Sequence, residues 1–504
     1  MARIAVIGAG MGAMAAAARL AVAGHRVTVY ERAGTYGGAV GRFERDGFAF
    51  DTGPGLLHLP AVYRDLFVKT GKEPLERCVG MTQVDPASRH VFADGTTVSL
   101  PNASRAGVVS ALDTALGAGA GERWGGFLNR ARDAWDRTRR PLLEEPLPAD
   151  VSPFGRDPYP ALRSGLLRRA ATTLAGVGRR ELRDPRLAAL LESYALAYGF
   201  DPATAPPSAA VLPYMEQTFG SWYVSGGIRA LADAVYERCR ARRVEFVFGA
   251  EVTRVVAKDG RAVGVELADG RVAEADHVVA GAPVPSLYRD QVLEWRSQDE
   301  WPRYQSAVRT GRVTLFLALR GGRPADAVHR TVVHSADRED ELDALAAGRL
   351  CERPTVTVLR PDDERLRPDA GHEAVTVTAT VPAGGAWASE NLWGEPREAE
   401  AAAFADRMTA AAEAAVPGLR ERLLWRVVRT PADTLRETGA YGVPGPALAG
   451  AGGALLPAAN PAPLAGLWFA GGWAHPGGGL AHAGMSGALA AGLIVEGAGF
   501  RGSQ

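Results

Sequence analysis

The sequence predicts an α/β protein: a principal layered domain assembled from separated segments of chain, a substrate domain of mixed sheet, and a helical cap. Three observations carry this. A short apolar strand, a glycine turn, an alanine-rich helix and a second strand follow one another within residues 3–31, and strand, glycine turn and helix recur at 467–496. Residues 252–275 are short runs punctuated by Asp259-Gly260 and Asp269-Gly270, a hairpin signal. Residues 101–206 instead place apolar residues at helical spacing. At 504 residues, two or three domains are expected.

The first unit sets the rest. Ile4 to Ile7 reads as a strand buried on both faces. Gly8, Gly10 and Gly12 follow, then Ala13 at the third small position, where helix and strand pack closely. Gly8 and Gly10 allow a tight turn and the close approach of a phosphate, and the helix that follows aims free N–H groups at it. Val27 to Tyr30 is the second strand, and Glu31, 23 positions after Gly8, is placed to accept from ribose hydroxyls. The unit therefore reads as a Rossmann-like, dinucleotide-binding β-α-β. The competing reading is an ordinary α/β glycine turn with Glu31 a solvated charge.

Composition excludes several classes. Lysine plus arginine and aspartate plus glutamate both total 57, so no electrostatic case exists for nucleic acid. Cys78, Cys239 and Cys351 are isolated, which argues against disulfide-reductase chemistry and fits a reducing cytoplasm. The N-terminus lacks a signal-peptide layout. Between Glu437 and Glu496 no charged residue occurs, but prolines and glycines break the stretch before it could span a bilayer.

Downstream come Gly37-Gly38-Ala39-Val40-Gly41-Arg42, then Asp46-Gly-Phe-Ala-Phe-Asp51-Thr-Gly53-Pro54-Gly55. With these, the chain resembles the phytoene desaturase-like (carotenoid desaturase-type) branch of the flavin amine oxidase superfamily. The match continues in Gly220-Ser-Trp222-Tyr223-Val-Ser-Gly226-Gly227 and in Phe469-Ala-Gly-Gly472-Trp473-Ala-His475-Pro-Gly-Gly-Gly479-Leu480, so it spans essentially the whole chain. The resemblance implies FAD, bound without a covalent link since no cysteine lies near the C-terminal motif. It places Arg32, Gly38, Pro54, Gly55, Leu56, Val252 and Ala282 at the cofactor, with Val252 towards the adenine, and Gly472, Trp473, Gly479 and Leu480 at the flavin pyrimidine. The family usually has arginine at Ala39, leaving Arg42 to take over that phosphate contact. It usually has asparagine at Gly281 and Pro-Gly at Ala481-His482.

In order, residues 1–95, 211–290 and 436–504 are expected to build the FAD-binding domain, 96–210 the helical cap, and 291–435 the substrate domain. A helix opens at Pro60, and residues 82–100 form a small sheet that could wall a substrate cavity. Helices are expected at 103–116, 122–139 and 185–198. The arginine- and leucine-rich stretch 161–183 reads either as a peripheral membrane contact or as a cap helix with one buried face. A helix at 228–240 and a strand at 244–248 precede the meander. Strands are expected at 313–319, 331–334, 355–359, 374–381 and 423–430, and helices at 398–415 and 483–496. His334-Ser335, Gly371-His372-Glu373 and Thr430-Pro-Ala-Asp433 read as structural turns.

The implied chemistry is hydride transfer from a long apolar or polyene substrate, carotenoid-like or a polyene polyketide-type natural product, to flavin N5, with oxygen or a quinone reoxidising the flavin. His475, His482 and His58 are the candidate acid/bases, each also readable as a hydrogen-bonded loop residue; Tyr223 and Tyr441 are candidate cavity residues. Amine oxidation is disfavoured, because relatives with that activity hold a lysine near the flavin and Lys69, Lys72 and Lys258 lie in no matching region. The alternatives are a redox-neutral polyene isomerase or cyclase, and a non-catalytic FAD-bound scaffold. No metal ligand set is expected.

Overall fold

The computed structural model describes residues 1–162, 171–293, 310–383, 395–440 and 442–502. Tyr441, residues 163–170 of the basic stretch 161–183, and the opening of the substrate segment at Trp295 lie outside the described residues.

Five parallel strands form the principal sheet, in the order Leu467–Phe469, His277–Ala280, Arg3–Ile7, Arg26–Glu31, Glu245–Phe248. Three distant parts of the chain meet there. Val6, Val29 and Val279 are buried, as parallel strands covered on both faces must be. One face carries the helices Met11–Val22, Leu480–Glu496 and Arg229–Ala241; the other carries the meander Val252–Lys258, Arg261–Leu267 and Val272–Glu274. Met11–Val22 and Leu480–Glu496 pack against each other nearly backbone to backbone, because Gly487 and Ala15 carry so little side chain.

A seven-stranded sheet forms the second layer, in the order Leu423–Arg429, Thr310–Arg320, His372–Pro382, Val356–Leu359, Arg330–Val333, Ser88–Val91, Thr97–Leu100. Its pairs are antiparallel except Arg330–Val333 against Ser88–Val91. The hairpin of residues 88–100 is thus the edge of this sheet and belongs with 310–429, while Met81–Gln83 pairs separately with Trp222–Val224. Val375, Val377, Ala379 and Val381 alternate along one face of their strand. Together with Val313 and Leu315 they bury against Phe404 and Met408 of the helix Glu395–Ala412. Glu373 pins this layer: it accepts from Arg360 (2.7 Å) and Arg422 (2.7 Å) while almost fully buried.

The cap consists mainly of Arg105–Leu116, Ala120–Arg139, Pro185–Ala197 and Val211–Phe219, around Trp124, Phe127 and Leu190. Capping fixes the starts of two of these: Ser104 accepts from Gly107 N–H, and Asp184 accepts from Arg186 N–H ahead of Pro185. Among the described residues, no helix is long and apolar enough to cross a membrane.

Candidate functional site

A continuous cavity of about 610 Å³ runs from the carboxyl ends of the principal strands to the inner face of the seven-stranded sheet.

The principal-sheet end fits a dinucleotide by the conformation of its main chain. Gly8 turns at φ 86°. A side chain on Gly10 would meet nothing within 4 Å, so the turn opens there onto free space. Gly12 is the reverse case: a Cβ would sit 2.5 Å from Gly471 Cα and 2.7 Å from Ala483 O. Its glycine is demanded by the second glycine turn of the protein itself. The helix Met11–Val22 has no side-chain cap and no acid in its first turn, leaving N–H groups and dipole for an anion. Glu31 accepts from Ala9 N–H (2.7 Å) and Ala33 N–H (2.8 Å), which holds its carboxylate at the strand end beside the cavity. The helix Leu480–Glu496, also uncapped by a side chain, starts at the same cavity, and Tyr63 donates to Leu480 O (2.9 Å) at its first turn.

Two sequence motifs prove to be one structural unit. Asp51 accepts from Ile228 N–H (2.8 Å) and Arg229 N–H (3.0 Å), capping the helix Arg229–Ala241. Burial pushes its carboxyl up to about 6 against those hydrogen bonds. A Cβ on Gly227 would lie 2.5 Å from Asp51 Oδ2, so the second glycine of the pair follows from the aspartate.

The other end of the cavity is made of side chains. Thr376, Thr378 and Thr380 share one face of their strand, with Thr357, Thr314 and Arg312 on the neighbouring strands. Beside them, Glu216 pairs with Arg330 (2.8 Å) and lies 3.5 Å from His58 Nε2. Burial pulls the Glu216 carboxyl up, but Arg330 and His58 hold it below the usual carboxylate range. Burial lowers His58, so at neutral pH it is an uncharged imidazole near Ser221 Oγ and Gly220 O, both at 3.4 Å. The buried hydroxyl of Tyr198 finds no partner among the described residues. Glu341, accepting from Thr355 N–H (2.6 Å), is pushed up to about 7 by burial.

Gly8, Gly10, Gly12, Glu31, Arg32, Gly38, Ala39, Pro54, Gly55, Leu56, Val252, Ala282, Gly472, Trp473, Gly479 and Leu480 all line this cavity, as do His58 and His482. Burial lowers His482 to about 4. Three expectations, for His475, Arg42 and Tyr223, need correction. His475 is wholly buried off the cavity wall, its Nε2 2.9 Å from Glu145 O, and burial lowers it to about 4. Arg42 turns away to donate to Gly226 O (3.0 Å) and does not reach the wall, so it does not replace the missing arginine at 39. Tyr223 donates instead to Asp363 (2.9 Å). Ala13 packs beneath the turn against Gly281, where a Cβ would fall 2.5 Å from Ala13 Cβ; the missing asparagine at 281 and the alanine at 13 are one packing arrangement. The sequence reading missed Glu216, Arg330, Arg312 and the threonines. The one available signal was the run of alternate threonines at 376, 378 and 380.

Comparison with known proteins agrees with this architecture. The family described as flavin-containing amine oxidoreductase matches residues 14–495. The hydroxyneurosporene desaturase of Cereibacter sphaeroides is 31% identical over 501 residues, covering 98% of this chain and 97% of its own. The 4,4'-diapolycopene oxygenase of a Methylomonas species is 30% identical over 387 residues, covering 75% of this chain and 76% of its own. Among solved structures, an oxidoreductase from Methanosarcina mazei superposes with a TM-score of 0.66 at 15% identity over 96% of this chain and 99% of that one. Putrescine oxidase bound to putrescine superposes at 0.62, also at 15% identity, over 98% and 99%. These two share the fold. With a family match that runs nearly from end to end and relatives at this identity, the chain belongs to the flavin-containing amine oxidoreductase family.

Proposed function

We propose that this protein is an FAD-dependent dehydrogenase that removes hydrogen from a long polyene, with the dinucleotide held non-covalently. The observation that carries this is the single cavity that joins the two uncapped helix N-termini to a chamber walled by the threonine face of the seven-stranded sheet. The relatives named for diapolycopene and hydroxyneurosporene support a polyene. Lys69, Lys72 and Lys258 all lie off the cavity wall, which argues against amine oxidation, and so do Cys78, Cys239 and Cys351, which supports a non-covalent cofactor.

Bound FAD supplies a two-electron hydride acceptor. The chain's part is to hold and orient. Gly8 to Gly12 and the first turn of Met11–Val22 suit the pyrophosphate, Glu31 the ribose, and the start of Leu480–Glu496 the negative charge of a reduced ring. The substrate also gives up a proton. His58 and His482 are the uncharged imidazoles on the wall. His58 is the better acceptor, because Glu216 lies 3.5 Å away to stabilise its protonated form, whereas His482 has a second histidine as neighbour. Oxygen or a quinone then takes the electrons.

The test is the absorbance spectrum of purified protein, followed by anaerobic addition of candidate polyenes. Flavin bands that bleach on adding one polyene are expected. Product formed with no bleaching would replace dehydrogenation by isomerisation, and a protein that takes up no flavin would end the reading.

A further inference from the structure

We propose that the sheet wall of the chamber holds a carboxylate at Arg312, so that the substrate is a polyene carboxylic acid rather than a hydrocarbon. This rests on the polyene-dehydrogenase reading above and narrows its substrate.

Arg312 lies on the strand Thr310–Arg320 and lines the cavity. Its guanidinium donates to Ala197 O (2.5 Å) and has no carboxylate partner among the described residues. Of the three other arginines of the cavity wall, Arg330 is paired with Glu216 and Arg429 with Glu437, while Arg32, at the dinucleotide end, donates to the carbonyls of Arg436 and Glu437. Among the described residues, Arg312 is the one without a carboxylate on the sheet wall. Burial depresses the Arg312 guanidinium with no acid to offset it. Arg312 is half-buried, so its charge on the cavity wall is only partly compensated by solvent and by the Ala197 carbonyl, and its planar fork matches a carboxylate.

The surroundings extend the same chemistry. Arg312 sits opposite Thr380, and Thr314 sits opposite Thr378, which in turn faces Thr357. The hydroxyls of Thr314, Thr357, Thr376 and Thr378 have no hydrogen-bond partner among the described residues, while Thr380 donates to Leu196 O (2.9 Å). Along one strand, Thr376 to Thr380 covers about 13 Å. A hydrocarbon would cover the guanidinium with nothing but the Ala197 carbonyl to accept from it, a loss that an acid avoids. A carboxylate at Arg312, with its chain laid along the threonine methyls, satisfies the cation and leaves the apolar stretch to the rest of the cavity.

The experiment titrates full-length, flavin-loaded protein at neutral pH with cis-parinaric acid and with the matching alcohol, following polyene fluorescence. The acid should bind roughly ten- to a hundredfold more tightly than the alcohol. Arg312→Gln should erase that ratio and Arg312→Lys should keep part of it, with thermal melts checking that both variants fold. The wild-type ratio needs no variant. Equal affinity for acid and alcohol would overturn the proposal and leave the polyene reading standing. A preference that survives Arg312→Gln, or a variant that shifts the flavin potential without touching the preference, would overturn it too, the latter assigning Arg312 to the cofactor. Failure to bind acid, alcohol and lycopene alike would overturn both readings.

Discussion

The two ends of the cavity recognise by opposite means. The principal-sheet end presents main chain: a glycine turn, uncapped helix N-termini, and one carboxylate held by backbone N–H groups. The seven-stranded end presents side chains: threonines, arginines, Glu216 and His58. A main-chain site admits few sequences, since each residue is fixed by how close the backbones come. A side-chain site keeps its backbone while its chemistry changes one residue at a time. The first suits an invariant cofactor, the second a substrate that differs among relatives.

Substituting glycines within one turn tests the main-chain half most severely. Gly12→Ala places a Cβ against the backbone of Gly471 and Ala483, neither of which can rotate aside. We expect a loss of about 3 kcal/mol or more, read as a lowered melting temperature with flavin lost as the fold loosens. Gly10→Ala meets nothing in the protein. Its stability without flavin should fall by no more than about 1 kcal/mol, the cost of alanine for glycine at an N-cap, while FAD affinity falls at least about tenfold as the methyl fills the phosphate space. Equal destabilisation by the two would break the distinction between a glycine kept for the fold and one kept for the ligand.

Glu216→Gln tests the side-chain half. It leaves Arg330 buried without its counter-charge, and removing one partner of a buried pair costs about 3 kcal/mol. Acid should act in the same direction. The folded Glu216 carboxyl lies below its usual range, so its contribution is present above the unfolded value and lost as pH falls through the folded one. The buried histidines lose stability earlier. His475 and His482 fall to about 4 and His334 to about 3 through burial, so the unfolded chain takes up protons first. Glu341 and Asp51, pushed up to about 7 and about 6 by burial, act the other way and gain stability as pH falls through those values. The histidines outnumber them, so the melting temperature should be level only above about pH 7.5 and show a net drop from about pH 6.5 towards pH 4. A flat profile across that window would mean these imidazoles are not held neutral.

The same contrast explains what was legible in the sequence. Gly8, Gly10 and Gly12 leave a mark at fixed spacing because the backbone forces it, and the strand–turn–helix order followed from them. The capping of Arg229–Ala241 by Asp51 bridges 177 positions of chain, yet both ends stood in recognisable motifs. The chamber left no such mark. Thr376, Thr378 and Thr380 alternate with Val375, Val377 and Ala379, a pattern any half-buried strand shows, and nothing local says which face meets a cavity. Glu216 and Arg330 meet across 114 positions. His475 looked catalytic because it stands in the flavin-side motif, but its imidazole points to Glu145 in the cap.

The smallest effect lies where the chain departs from its family. A Cβ at 281 would fall on Ala13, so Gly281→Ala should cost about 1–2 kcal/mol. Ala13→Gly alone should cost up to about 1 kcal/mol, the helix penalty of glycine. Combined, the two should cost less than their sum, because glycine at 13 empties the space that alanine at 281 needs. A coupling of about 1 kcal/mol is expected from a double-mutant cycle on chemical denaturation. Strict additivity would mean that the turn yields to accommodate the methyl. A main-chain site so compliant would not be dictated by close approach, and the contrast with the chamber would shrink to a difference in composition.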